Sequence, residues 1–437
     1  MIRSRKLITR TLVALPLLLV HASAQQTSAP GVAQKLTVTV AEQVALKNNP
    51  TISVAKLIAS SRHEVVREVR SALLPTAMAN LTAVDTDPGN RISAGGLNNP
   101  VIYERAAYGA TVAQLITDFG RTSNVVSGTR LHALAEDQNA LATANQIKIA
   151  VDRAFYRALS ASSVLRVARQ TVDSRQLLAD QVGTLAQNKL RSTLDVSFAN
   201  ANLEQARLLL IDAENQYEAT LAELTELLGV PSDQVLELVD DSGNVAPPPS
   251  DLSQLVSLAM GQRPEVKAQD FQLQAAKKFE SAAWEQNLPS IRALGAVGQA
   301  PIRDNHIPSW YGAVGVNVEI PIFTGFRISA QTHEARLQTE AEDQRLVGVR
   351  NIVIRDVRTS WLAANTAYLR IRVTAALLDQ TKLALDLSQA RYKLGLASII
   401  EVSQAQLQET EAEIAGARAR YDYLLAQSII RFETGSN

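Results

Sequence analysis

The chain has no cysteine among its 437 residues, which excludes disulfides, thiolate metal centres and a lipidated N-terminal cysteine. Cations are not in surplus either, since 43 Lys and Arg stand against 43 Asp and Glu. Four of those cations, Arg3, Arg5, Lys6 and Arg10, lie in the first ten residues, and without that stretch the balance is −4. Such a chain offers no electrostatic footprint for nucleic acid. No apolar run reaches the roughly 20 residues that a spanning helix needs, so a membrane segment has to be built from strands. Aromatic residues are only 5%, a balance that suits long, closely packed helices better than a large globular core. Proline is missing from Thr122 to Ala186 and again after Arg327, which leaves room for helices of unusual length.

The cationic start leads into an apolar run, Leu12 to Val20, broken by Pro16 and followed by Ala22-Ser23-Ala24. That order predicts a secretory signal peptide over residues 1–24, with a polar, flexible mature N-terminus over 25–35.

Trp310 to Ile320 alternates strictly. Trp310, Gly312, Val314, Val316, Val318 and Ile320 form one set, and Tyr311, Ala313, Gly315, Asn317 and Glu319 the other. This is the pattern of a strand with one apolar and one wetter face. Pro321 ends it, and the sequence after Arg327 reads as helix. Tyr108 to Arg121 repeats the design, with Asp118-Phe119-Gly120-Arg121 standing where Phe323-Thr324-Gly325-Phe326-Arg327 stands later. Pro50 and Pro264 are 214 residues apart, as are Pro75 and Pro289. Further on the offset becomes 206, and it relates Phe155 to Trp361, Asp195 to Glu401, Ala199 to Ala405 and Gly229 to Gly435. The chain therefore carries two copies of one plan, with a deletion in the hairpin loop, where length changes are cheapest.

Each copy predicts a starting helix, a hairpin of membrane-length strands and two long helices. The first copy covers 36–231, with strands at about 76–116; the second covers 251–437, with strands at about 290–320. Residues 232–250, with Pro247-Pro248-Pro249, form the connection and hold a short element at Val235 to Val239. Arg292 shares its parity with Leu294 and Ala296, which leaves the facing of the third strand open. Trp310 and Tyr311 fit an interfacial aromatic girdle. The helices break at Asn188 to Thr193 and at Leu394 to Ser398. Four strands are too few to close a barrel; two copies pool eight, and three pool twelve, enough for a lumen.

Enzymatic motifs fail on inspection. His63-Glu64-Val65-Val66-Arg67 lacks the second histidine of a zinc protease. His132, His306 and His333 are scattered, and Asp118-Phe119-Gly120 has no glycine-rich or catalytic loop beside it. No cofactor is expected.

The duplicated Asn49-Pro50 start, the Asp118-Phe119-Gly120-Arg121 and Pro321-Ile322-Phe323-Thr324-Gly325 junctions, and the run Arg391-Tyr392-Lys393-Leu394-Gly395 continuing to Ala405-Gln406 resemble a TolC-type outer-membrane efflux protein over essentially the whole mature chain. The resemblance implies a mainly α fold with membrane β. In a homotrimer the repeats would form a 12-stranded outer-membrane barrel in lipid, continuous with a periplasmic helical barrel. It also implies a passive exit duct served by a periplasmic adaptor and an inner-membrane transporter. The alternatives are the exit channel of a type I protein secretion system and, from another class, a periplasmic coiled-coil adaptor. The adaptor predicts one helical hairpin where this chain has two.

The resemblance places a constriction at the second helical turn. Tyr392, Gly395 and Glu401 match its pattern; the basic position is Ala397 and the second acidic position Gln404. Arg191 occupies the first-copy counterpart of Ala397, and it is expected to join the closing network with Asp195. Three copies of Glu401 around a pore would attract cations. Asp195 and Glu401 also lie near helix starts, where acids complement the dipole, and the two roles compete.

Overall fold

A computed structural model describes residues 34–85, 105–231, 236–241, 243, 245–303 and 308–436. The expected signal peptide, most of the expected flexible N-terminus and most of the first hairpin loop lie outside the described residues, as does part of the second loop.

The first repeat runs β1 Gln34–Leu36, α1 Val38–Asn48, α2 Pro50–Arg70, β2 Thr76–Val84, β3 Arg105–Thr117, α3 Arg121–Gln187 and α4 Thr193–Leu228. After β4 Leu236–Leu238 the second runs α5 Leu252–Gln262, α6 Pro264–Trp284, β5 Ser290–Ile302, β6 Trp310–Glu319, α7 Arg327–Lys393 and α8 Ile399–Thr434. Helices α3 and α7 each hold 67 residues, so each spans about 100 Å.

The helix limits follow from local chemistry. Pro50 and Pro264 open α2 and α6 at a position whose N–H is spare. Asn49 caps α2 by accepting from the Thr51 N–H at 2.9 Å, and its amide donates to the Leu227 carbonyl at 2.9 Å. Its counterpart Arg263 makes no such cap; it pairs with Glu265 at 3.0 Å and Glu433 at 2.5 Å. Gly229 and Gly435, at φ 64° and 72°, end α4 and α8. Asn49→Ala removes both bonds of a buried side chain and is expected to cost about 1–2 kcal/mol. Denaturant unfolding of the purified protein measures that loss.

The helices pack through small residues. Ala154, Ala158 and Ala168 of α3 are fully buried, as are Ala41, Ala45, Ala259 and Ala364, and side chains of that size bring axes close together. Larger side chains fill two related clusters. One joins Leu36, Val151, Phe155, Leu224 and Leu228 to Tyr421; the other joins Leu255, Leu273, Val353 and Val357 to Tyr423. Strand β1 was not expected, and it pairs in parallel with β4, within the connection's expected short element. A three-residue strand has no periodicity to read, and its partner lies some two hundred residues away.

The four long strands form one antiparallel sheet in the order β2-β3-β5-β6. Register settles its faces, because directly paired residues project to the same side. Leu81 pairs with Tyr108, Val112 with Gly295, Val297 with Gly312 and Gly295 with Val314. Together with Val316 and Val318 they make an apolar face whose valines and leucine are all exposed. The opposite face carries Asn80, Thr111, Tyr311 and Asn317. Arg292 lies directly opposite Asn317, which puts the third strand's charge on the polar face. Trp310 and Tyr311 take opposite faces, so only Trp310 can serve an aromatic girdle on the apolar side. Tyr311 instead covers Gly298 and Gly109.

Candidate functional site

At one end of the molecule the long helices reverse. In each hairpin one residue turns the chain left-handed, Lys189 at φ 60° and Gly395 at φ 77°, and the next N–H reaches back five residues, Leu190 to Leu185 at 2.9 Å and Leu396 to Arg391 at 2.8 Å. Ser192 and Ser398 then cap α4 and α8.

The two acids use these caps differently. Asp195 completes a capping box: its N–H donates to the Ser192 hydroxyl at 3.2 Å, and its carboxylate accepts from the Ser192 N–H at 3.4 Å. Glu401 donates its backbone N–H to the Ser398 hydroxyl at 3.3 Å. Its carboxylate reaches across the turn to Arg391 at 2.7 Å, and Arg391 also donates to the Leu396 carbonyl at 3.2 Å. Arg391 opens the run that carries the family resemblance, but the sequence assigns it no part in the constriction; its place ten residues before an acid, on the other side of a turn, was the available signal.

Arg191 joins the two hairpins. Its guanidinium donates to the Tyr392 carbonyl at 2.5 Å and lies 4.1 Å from the Tyr392 ring centre, a cation–π arrangement. Tyr392 is buried among Val182, Leu203, Ile399 and Val402, and its hydroxyl has no hydrogen-bond partner. Burial pushes that hydroxyl up from its ordinary pKa; Arg191 opposes the shift and Asp195 adds to it. Further from the turns, Asn202 donates to the Ser403 hydroxyl at 2.6 Å, and buried Arg175 donates to Gln406. Sequence reasoning missed Arg175, because its partner lies on α8 and its second-copy counterpart is Thr381. Arg191, Asp195, Tyr392, Gly395 and Glu401 are thus gathered at one tip.

The junction residues lie at the opposite ends of α3 and α7, next to the sheet. Asp118 is buried and accepts from the Thr122 N–H at 2.9 Å and the Thr122 hydroxyl at 2.5 Å, which starts α3 at Arg121. Two consecutive left-handed residues make each strand-to-helix corner: Phe119 and Gly120 at φ 59° and 109°, then Gly325 and Phe326 at 59° and 64°. The glycine has changed places within the pair while the backbone has kept its path. Pro321 lies just after β6, and the exposed rings of Phe323 and Phe326 meet edge to face at 5.8 Å. Outside both ends, His63 bonds Asp137 at 3.0 Å and His132 stacks on Phe279, which gives both histidines local partners.

The family model described as outer membrane efflux protein matches residues 41–230 and 255–436, one match per repeat. The chain belongs to the outer membrane efflux protein family. Its family relatives include the outer membrane protein TolC of Vibrio cholerae, 24% identical over 407 residues and covering 90% of this chain and 89% of that protein. The alkaline protease secretion protein AprF of Pseudomonas aeruginosa is 23% identical, over 90% of this chain and 83% of that one. In fold, the outer membrane protein VceC of Vibrio cholerae superposes with a TM-score of 0.79 at 16% identity, covering 91% of this chain and 96% of that one. The family consists of outer-membrane channels rather than enzymes. In this member the fold is mainly helical, built as tandem repeats around a four-stranded sheet.

Proposed function

We propose that three copies of the chain form a passive export duct, in which twelve strands close a barrel in the outer membrane and the helices continue it as a periplasmic tunnel. The observation that carries this reading is the sheet: among the described residues its outer strands β2 and β6 each have an unpaired edge, and one face carries the exposed side chains of Leu81, Val112, Val297, Val314, Val316 and Val318. Open edges are not tolerated in hydrocarbon, and pooling strands removes them. In this reading residues 36–231 and 251–437 are the two repeats joined by 232–250, and residues 1–24 are removed on export. The duct receives small-molecule cargo from an inner-membrane transporter through a periplasmic adaptor.

The helical tip is the gate. Arg191 ties the first turn to Tyr392 of the second, Asp195 and Glu401 stiffen the turns, and Gly395 supplies the reversal. Separating the hairpins exposes Tyr392 and breaks the Arg191 contacts, so these residues hold the closed form. Arg191→Ala is expected to raise single-channel conductance in planar bilayers by roughly twofold or more. The same resting conductance in variant and wild type would count against the gate. A second reading, the exit channel of a protein secretion system, is favoured by the likeness to AprF, whose name gives it to alkaline protease secretion. Cargo identity then lies with the transporter.

A further inference from the structure

We infer that Arg175 favours opening of the gate: its charge, buried where α3 meets α8, works against the closed tip that Arg191 holds together. This rests on the duct reading and adds the residue that opposes closure. Arg175 belongs to the first helical hairpin and its partner Gln406 to the second, so the two part when the hairpins separate. Arg175 lies about 18 Å back from the end of α3, beyond the contacts of Arg191 with Tyr392.

Arg175 and Arg263 are each 7% exposed, but their company differs. Arg263 is met by Glu265 at 3.0 Å and Glu433 at 2.5 Å. Burial lowers its pKa, and these carboxylates outweigh that and raise it. Arg175 donates to the neutral amide oxygen of Gln406, and no carboxylate pairs with it among the described residues. Burial lowers its pKa, and Glu409 opposes without reversing the shift. Glu409 is a weak counter-ion, because burial, Glu413 and Asp386 push its own pKa up against Lys382 and Arg175. Glu413 is in turn held by Lys382 at 3.9 Å. An arginine does not lose its proton in a protein, so the cost of this burial falls on the closed form at every pH. A polar cavity of about 180 Å³, lined in part by Ser174, Glu409 and Glu413, lies against Arg175. It widens when α3 and α8 part, and the charge regains water there.

A simpler account makes the bond from Arg175 to Gln406 a clasp that closes the hairpins. Two features weigh against it. Asn202 and Ser403 already join the hairpins at 2.6 Å without a buried charge. The second-copy counterpart Thr381 is also buried, and it turns back to the Leu378 carbonyl of its own helix at 3.1 Å. Helix packing at this level thus requires neither the length nor the charge of an arginine.

Single-channel conductance of the purified, bilayer-inserted protein tests this for wild type, Arg175→Met and Arg175→Lys, each also combined with Arg191→Ala. Methionine keeps an unbranched chain and removes the charge; lysine keeps the charge. Arg175→Met is expected to lower the ratio of open to closed time by roughly tenfold in both backgrounds, and to raise the melting temperature of detergent-solubilised protein. Arg175→Lys should stay within about twofold of its parent, because the charge is retained. A higher open ratio, a lower melting temperature or a failure to fold in Arg175→Met would make Arg175 a clasp and overturn the inference. So would an unchanged ratio, or a lysine variant that behaves as methionine does. If Arg191→Ala matches wild type, the gate contact at Arg191 falls, and Arg175→Met against wild type still decides the inference. Inserted protein with no conductance steps in any variant overturns the duct reading and the inference with it.

Discussion

Gly298→Val is expected to abolish the assembled, membrane-inserted form, whereas Gly315→Val is expected to leave it intact. Both glycines belong to the polar face of the sheet, one in β5 and one in β6, so the substitution adds the same chemistry to the same surface. The space differs. A Cβ on Gly298 would lie 2.4 Å from both the ring and the hydroxyl of Tyr311, and 2.6 Å from the Tyr108 carbonyl. A tyrosine ring alone can rotate away, but a backbone carbonyl cannot move without shifting β3. Neighbouring Gly109 is under the same cover, with the Val297 carbonyl at 2.7 Å from its Cβ position. Among the described residues of one chain, nothing lies within 4 Å of the Cβ position at Gly315. Overpacking costs about 1–3 kcal/mol where side chains can adjust, and more where a ladder must break. The comparison is read as the yield of heat-sensitive oligomer from outer membranes. Equal yields for the two variants would show that the Tyr311 cover is not a packing constraint.

Asp152→Asn is expected to remove most of a pH dependence of stability. Asp152 of α3 is 5% exposed, and one of its carboxylate oxygens has no hydrogen-bond partner. Its pKa is pushed up from 3.8 to about 7, chiefly by burial and then by Glu42, with Ser428 and Arg431 opposing. Glu42 enters from α1 and is itself held by Lys148 at 3.3 Å. From the same side of α3, Tyr156 is pushed up to about 12 by burial and by Asp152.

The sign follows from the raised value. Between pH 4 and 7 the folded chain binds a proton that the unfolded chain has lost. This contribution is complete below about pH 4, declines as pH rises and is gone above about pH 7. Asparagine imitates the protonated side chain at every pH. Wild type and variant should therefore melt together near pH 4, and at pH 8 the variant should melt several degrees higher. Thermal unfolding of detergent-solubilised protein across that range checks it. Parallel curves would mean that Asp152 is ionised and compensated throughout.

Much of this architecture is legible in the residues themselves. Alternation from Trp310 to Ile320 marks β6, prolines at 50 and 264 open matched helices, and the switch from a 214- to a 206-residue offset places the length difference in the strand loops. The tip turns were also readable, since a helix seam of three- and four-residue gaps stops at each. These signals are local: a strand's pleat, a helix's period and a proline's missing N–H act on their own neighbourhood.

What the local pattern leaves undecided depends on partners far along the chain. Arg292 has the same sequence neighbours on either face of the sheet, and only register against Asn317 assigns it to the polar one. Tyr311 reads as a girdle residue until β3 and β5 bring Gly109 and Gly298 beneath it. Glu401 reads as a free acid until Arg391 folds back across the turn, and Asp152 as an ordinary helix carboxylate until α1 and α8 bury it. The two-repeat plan, the approximate lengths of strands and helices and the positions of the turns are written in the order of residues. Tertiary structure alone decided the facing of the sheet, the pairing of the tip charges and the buried proton, because charge, cover and desolvation are set by groups that only folding brings within a few ångströms.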